Sequence, residues 1–383
     1  MNVKVGIIGF GEMGKRHARD MEEFSEGHIK IAGVVELSDR KFDIGVKWLG
    51  HVPERFTSAK AMLDKISPDG IIIATPNSLH LECLKELTGK RIPLILEKPL
   101  DTGLGKVKEI VDFAKHYKAP IMVHHVMRYS PIVLKAKEIL DSGAIGELCG
   151  FCMVQFIEGG MFHNFRRTFK TGGGQLLEKA THDFDVLLFL TGRKPRSVFA
   201  TCKRQYFGGE KSSSMKCSGC EESDKCRHNI FEQKKHDTVS GNDLCVFADE
   251  IDIFDNESCL IELDNGIFGT YSECFFSRAP FSRRYEFNGS HGFLSMDFSG
   301  GKVFLRTLRG EESFDFDYHG RIHYNGAPGV VKHFLSLING TETVVRSSVD
   351  SAAEAELISF AAYKSNETRR MVNMEEISMH DQV

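Results

Sequence analysis

The sequence predicts an α/β protein in two parts: a doubly wound parallel sheet at the N-terminus, then an α+β domain whose open sheet is mostly antiparallel. Three observations predict it. Short Val- and Ile-rich runs (3–8, 29–35, 69–74, 93–96, 119–123) alternate with helix-forming stretches, the pitch of a parallel sheet with crossover helices. The first run ends in Gly9, Gly11 and Gly14, spaced G-x-G-x-x-G, and a helix-forming stretch starts at Lys15. After residue 196, further short runs (197–206, 243–254, 258–263, 267–275, 285–287, 292–296, 302–308) follow one another with turn residues between them. Asp264-Asn265-Gly266 among them is a strong hairpin signal. The break falls at 1–123 and 124–383.

Each glycine of the first turn has a physical task in a dinucleotide site. Gly9 permits the tight turn, Gly11 lets the backbone approach a diphosphate, and Gly14 lets helix and strand pack closely. Glu12 and Met13 complete the turn, at the positive end of the helix where a diphosphate rests. The second run ends in Glu36, about 20 residues beyond the turn, where a carboxylate hydrogen-bonds an adenosine ribose. That acid favours NAD and repels the 2′-phosphate of NADP; Arg40, four residues on, moderates the preference. Thr75, Pro76, Asn77 and His80 follow the third run, and Glu97, Lys98 and Pro99 follow the fourth. These are carboxyl ends of strands, where ligands bind in open α/β sheets. Helices are expected at 106–116 and 131–142. The N-terminal half therefore reads as a Rossmann domain.

Four motifs in this order, GFGEMG (9–14), ATPNSLH (74–80), EKPL (97–100) and HHVMRYSP (124–131), resemble the Gfo/Idh/MocA family. Its members are NAD(P)-dependent oxidoreductases of sugars and cyclitols. The resemblance implies that Lys98 lies by the nicotinamide and touches the reacting hydroxyl. It also implies that Glu97 and Arg128 line the cofactor and that the Lys98–Pro99 bond is cis. The chemistry agrees: hydride leaves a carbinol carbon only as its hydroxyl proton is removed, and an ammonium steadies the developing alkoxide.

In the second half a strand is expected at 147–155, followed by a loop, MFHNFRRTFKTGGG. There His163, Arg166, Arg167 and Lys170 either grip substrate oxygens or form a solvated basic loop. The segment GGGQLLEKATHDFDVLLFLTG (172–192) matches a family helix bearing an acid, a histidine four residues on and an aspartate three further. Here these are Glu178, His182 and Asp185, which helical spacing puts on one face. The resemblance makes His182 the proton acceptor, with Glu178 orienting it. Glu178 stands where the family usually has Asp, and Ala180 where it has Gly. Lys179 and Asp183 form an i, i+4 pair, or Lys179 contacts substrate. Tyr129, His163, Arg166, Lys179 and Asp185 join Lys98 and His182 as substrate-contact candidates. A helix over 351–365 is expected to pack near the domain junction, and the resemblance implies that the open face of the second sheet makes the contacts of a homodimer or homotetramer.

An insertion at 207–242 carries KCSGCEESDKCRHN. Cys217, Cys220, Cys226 and His228, spaced C-x2-C-x5-C-x-H, suit a structural zinc, with His236 or Cys245 as substitute ligands. The other reading is a loop of reduced cysteines.

Composition removes several classes. A net charge of −4, with 49 cationic against 53 acidic side chains, gives no basis for binding nucleic acid or an anionic membrane. No apolar run approaches the ~20 residues of a membrane span. The chain opens on a core strand, which leaves no signal peptide and predicts a cytoplasmic protein. Its ten cysteines are then thiols or metal ligands. Three functions stay open: a dehydrogenase of a sugar or polyol, a redox-assisted glycoside cleaver holding NAD, and a non-catalytic NAD-binding regulator.

Overall fold

A computed structural model describes residues 3–157, 159, 161–230, 243–277, 281–318 and 322–377. The chain forms two compact units: Met1–Leu134 with Tyr318–Ala353, and Lys135–Asp317 with Glu354–Val383.

The first unit is built on six strands: β1 (Val3–Ile8), β2 (Ile29–Val35), β3 (Glu54–Phe56), β4 (Gly70–Ile73), β5 (Leu94–Leu96) and β6 (Ile121–Val123). All pair in parallel in the order β3-β2-β1-β4-β5-β6, the order of a Rossmann fold. β3 carries no sequence signal, because only Phe56 of its three residues is buried. Between the strands run α1 (Glu12–Phe24), α2 (Asp39–Leu49), α3 (Ala59–Ile66), α4 (His80–Glu86) and α5 (Leu104–His116), and α6 (Pro131–Asp141) follows β6. α1 turns Gly14, His17, Ala18 and Met21 inward, at the spacing of one helical face.

The break expected at residue 123 is displaced, because 318–353 returns to this unit. That segment carries α9 (Ala327–Ile338), whose Val330, Val331, Phe334 and Leu337 pack into the core with Val3, Val5, Ile31 and Ile72. An apolar helix face shows in a sequence; which sheet it covers does not.

The second unit holds β7 (Leu148–Phe156), β8 (Pro195–Lys203), β9 (Asn256–Leu263), β10 (Phe268–Cys274), β11 (Ser282–Gly289), β12 (Gly292–Asp297), β13 (Lys302–Thr307), β14 (Gly310–Asp315) and β15 (Val372–Asn373). Their order is β14-β13-β12-β11-β7-β10-β9-β8-β15. β7 and β10 pair in parallel and all other neighbours antiparallel. Leu263 and Ile267 close the expected turn, with Gly266 at φ +81°. The short helix α7 (Phe169–Gly172) lies in the expected loop, α8 (Thr181–Thr191) follows a π-helical turn at Leu176–Ala180, and α10 (Val349–Thr368) spans the expected C-terminal helix.

The strand expected at 243–254 is absent. The segment makes only isolated bridges, Lys211 with Ala248 and Lys216 with Leu244. Its Val246, Ala248, Ile251 and Ile253 fill a local core with Phe162, Phe207 and Phe275. An apolar run of this length reads the same whether it pairs as a strand or packs as a buried loop.

Candidate active site

In the first unit the glycine turn has the shape its spacing implies. Gly9 sits at φ +90°, and a Cβ there would lie 2.7 Å from the Ala74 carbonyl oxygen. A Cβ on Gly14 would lie 2.0 Å from the Gly9 carbonyl oxygen, so helix and turn touch. A Cβ on Gly11 meets nothing within 4 Å. α1 begins at that open glycine without a side-chain cap, with Glu12 exposed and Met13 half-buried. Its first N–H groups and positive end suit a diphosphate. Glu36 closes the other side: its Oε2 accepts from Phe10 N–H (3.1 Å) and its Oε1 from Ser38 N–H (2.8 Å). Arg55, from the unforeseen β3, donates to the Glu36 carbonyl at 2.8 Å. Arg40 is exposed.

The two loops after β4 and β5 are braced from beneath. His80, expected at the cofactor, is fully buried. Its Nδ1 lies 3.0 Å from the Leu100 carbonyl and its Nε2 3.2 Å from the Thr75 carbonyl, so the ring ties one loop to the other. Burial lowers its pKa from the usual imidazole range. Thr75 is half-buried, Pro76 exposed and Asn77 buried. Glu97, also expected at the cofactor, points inward. Nε2 of His17 and Nδ1 of His124 donate to its Oε1 at 2.6 and 2.9 Å, and its Oε2 accepts from Lys98 N–H at 3.2 Å. Burial pushes this carboxyl up, but the pull of His124, together with the hydrogen bonds from His124 and His17, holds it well below the usual range. Burial, then the charge of His124, lowers the pKa of His17. The backbone presenting Lys98 is thus anchored at the residue before it. Lys98 itself is half-buried, and the Lys98–Pro99 bond is cis.

Two residues of the HHVMRYSP stretch, both expected at a ligand, are buried. Tyr129 lies in the core with its hydroxyl 2.7 Å from His333 Nδ1. Arg128 is buried and donates to the Arg346 carbonyl at 2.6 Å. Both contacts hold the returning segment, which sequence order alone does not reveal.

In the second unit, Glu178 lies in the π-helical turn and His182 in the first turn of α8; both are buried. The wider turn changes the regular helical spacing expected between them. Arg166 donates to Glu178, pairing the loop with the helix. Lys179 is half-buried, and Asp185 is fully buried. The expected Lys179–Asp183 surface pair gives way to a different arrangement. Asp183 is fully buried and receives Arg283 Nε on Oδ1 at 2.8 Å and Nη2 on Oδ2 at 2.7 Å. Tyr285 donates to Oδ1 and Tyr271 to Oδ2. α8 is buried on nearly every side, so its charged residue is an anchor to β11, not a solvated face.

Two domain models match. "Oxidoreductase family, NAD-binding Rossmann fold" takes in residues 3–125, and "GFO/IDH/MocA C-terminal domain" takes in 133–295. The chain belongs to the Gfo/Idh/MocA family. Its fellow members include the rhizopine catabolism protein MocA of Rhizobium meliloti, 26% identical over 207 residues, 54% of this chain and 62% of MocA. Inositol 2-dehydrogenase of Rhizobium meliloti (strain 1021) is 25% identical over 201 residues, 52% of this chain and 58% of that enzyme. These alignments span less than two thirds of either relative. Levoglucosan dehydrogenase, solved with NADH and levoglucosan, shares the fold at a TM-score of 0.78 and 18% identity, over 98% of this chain and 100% of that one. The family's N-terminal domain binds NAD, which fits the open glycine turn and Glu36 described above.

Two further groups of candidate residues from the sequence meet in the second unit. His163, expected at substrate, is buried with its Nδ1 2.9 Å from the Leu244 carbonyl, in the wall of a cavity lined by cysteines. Cys217, Cys220 and Cys226 line that cavity together with Cys245. His228 lines it too, with its Nε2 3.1 Å from the Tyr206 hydroxyl. His236 falls outside the described residues. Among the residues sequence reading missed, His17 had a signal, a polar side chain on the buried face of α1. The pairing of Asp183 with Arg283 had none, the two being 100 residues apart.

Proposed function

We propose that this chain is an NAD-dependent dehydrogenase acting on a secondary hydroxyl of a sugar, cyclitol or sugar derivative. The observation that carries the reading is the built support behind Lys98: a buried glutamate, held by two histidines, fixes the backbone that presents the lysine. A regulator that only sensed NAD would need no such support. NAD, when bound, supplies the hydride acceptor. The Lys98 ammonium donates a hydrogen bond to the carbinol oxygen and stabilises it as its proton leaves. His182 takes that proton on its imidazole, as a general base. Glu178, itself held by Arg166, orients His182; Arg166 and Lys179 meet the substrate's other oxygens. Glu36 selects NAD over NADP, because a buried carboxylate at the ribose repels a 2′-phosphate.

The half-exposed face of the second sheet carries Phe199, Leu260 and Phe268 together with Cys152 and Val154. We assign it to contact between copies, in a homodimer or homotetramer. None of the ten cysteines is in a disulfide, which suits a reducing cytoplasm. No helix of the described residues is long and apolar enough to cross a membrane.

The test is a panel of polyols, cyclitols and sugars with NAD, read by NADH absorbance. A substrate should emerge, and Lys98→Met should lose turnover by at least ~100-fold, the span of one positioned acid–base group, with NAD affinity nearly unchanged. Equal losses in turnover and NAD affinity contradict the assigned role. Release of an aglycone without NADH accumulation replaces it with redox-assisted cleavage.

A further inference from the structure

The insertion before β9 contains four cysteines that the proposed reaction does not use. Cys217 and Cys220 bracket one short turn, Cys226 ends the next, and Cys245 comes from the far side of residues 231–242. All four line one cavity of about 20 Å³, room for a single small guest and too little for an organic ligand. None is in a disulfide. Backbone pairing already holds the two sides together: Cys217 N–H donates to the Asp243 carbonyl at 2.7 Å, and Cys245 N–H to that of Met215 at 2.9 Å.

We propose that Cys217, Cys220, Cys226 and Cys245 bind one structural zinc ion. Four soft ligands around one small cavity select a tetrahedral thiolate metal, and four protein ligands leave no position for substrate or water. The ion draws the four sulfurs inward to about 2.3 Å from itself. The fourth ligand is Cys245, whose side chain lines the cavity with the other three, whereas His228, which also lines it, has its Nε2 3.1 Å from the Tyr206 hydroxyl. The surroundings suit thiolates. The Cys217 sulfur accepts the Ile230 N–H and the Cys245 sulfur the Phe247 N–H. Lys211, paired with Glu222 at 2.8 Å, acts electrostatically on Cys220 and Cys245 and offsets the excess negative charge of four thiolates on a divalent ion.

The consequence reaches the loop that bears Arg166. Leu244 and His163 bond each other through N–H to carbonyl (3.1 Å) and ring to carbonyl (2.9 Å). The Cys245 carbonyl accepts from buried Arg167 at 2.8 Å. Zinc therefore staples the insertion to the loop whose Arg166 pairs with Glu178. That last step rests on the proposed dehydrogenase reading; the metal site does not.

Metal analysis of the purified full chain should find one zinc per chain, and X-ray absorption at the zinc edge should count four sulfurs. Cys245→Ser should lose the zinc while His228→Gln keeps it. Absence of zinc from chain produced in zinc-supplemented medium overturns the proposal. So does a shell of three sulfurs and one nitrogen, or iron in place of zinc. The absorption measurement uses wild-type protein, so it decides the ligand set even if Cys245→Ser does not fold. Removing zinc with a thiol-specific mercurial should raise the KM for sugar and leave NAD affinity unchanged. If wild type holds zinc but its removal leaves KM unchanged, the reading of the Arg166 loop fails and the metal site stands.

Discussion

Replacing Asp183 by Asn tests whether α8 is held by a buried charge. The carboxylate receives two hydrogen bonds from Arg283, at 2.8 and 2.7 Å, and one each from Tyr271 and Tyr285. Neither Asp183 nor Arg283 has appreciable exposure, so solvent screens the pair little. Asn keeps the shape but removes the charge and one acceptor. It strands a guanidinium among Phe298, Tyr271 and Tyr285, and removing one partner of such a pair costs about 3–5 kcal/mol. At roughly 2–4 °C per kcal/mol for a unit of this size, the melting temperature should fall by roughly 6–20 °C. Differential scanning calorimetry reads it directly. His182 precedes Asp183 on the same helical turn, so kcat should also fall at temperatures well below the transition. Arg283→Met should cost a comparable amount, and the double variant less than the two single losses added, because it strands neither charge. A melting temperature within ~2 °C of wild type, or additivity within ~0.5 kcal/mol, would refute the anchor.

Other expectations follow from the buried titratable groups and the turn. His17 and His80 have lowered pKa values, chiefly through burial. Below about pH 6.5 the unfolded chain takes up protons that the folded one refuses, so stability should fall on acidification by up to ~1.4 kcal/mol per pH unit and group. Melting temperatures between pH 7.5 and 5.5 check this, and His80→Gln should flatten the slope. Glu257 and Glu273 behave oppositely: burial pushes Glu257 up to about 7 and Glu273 well above its usual range, where the charge of Glu257 adds to the effect. Their stabilisation is present below the unfolded value of about 4.3 and fades as pH rises toward and beyond neutrality. Glu273→Gln, which keeps a donor, should therefore raise the melting temperature at pH 8; a decrease there would contradict a protonated Glu273. Glu36→Ala should weaken NAD binding by about tenfold or more, the worth of hydrogen bonds to a charged group, and narrow the preference against NADP in fluorescence titrations.

What the sequence made legible follows from how local each signal is. The glycine turn, Glu36 and the strand-end motifs are set by neighbours within a few residues, and the parallel sheet follows from alternation. The return of 318–353 to the first sheet was hidden, because α9 has an ordinary apolar face and nothing in it names its partner. The site shows the same division. Lys98 and Glu97 are adjacent in the chain, yet one is half-buried and the other turns inward, and only the meeting with His17 and His124 decides which does what. At Asp183, helical spacing offered Lys179 as the obvious partner. Burial reverses that choice: a surface pair is worth at most ~1 kcal/mol, whereas an unpaired buried carboxylate costs several, so the residue takes the distant Arg283. The cysteines show the same division: the sequence offered Cys245 only as a substitute ligand, and the fold places it in one cavity with Cys217, Cys220 and Cys226. Where a charged or ligating side chain is buried, its partner is chosen by what must be satisfied in the interior, and sequence distance carries little weight.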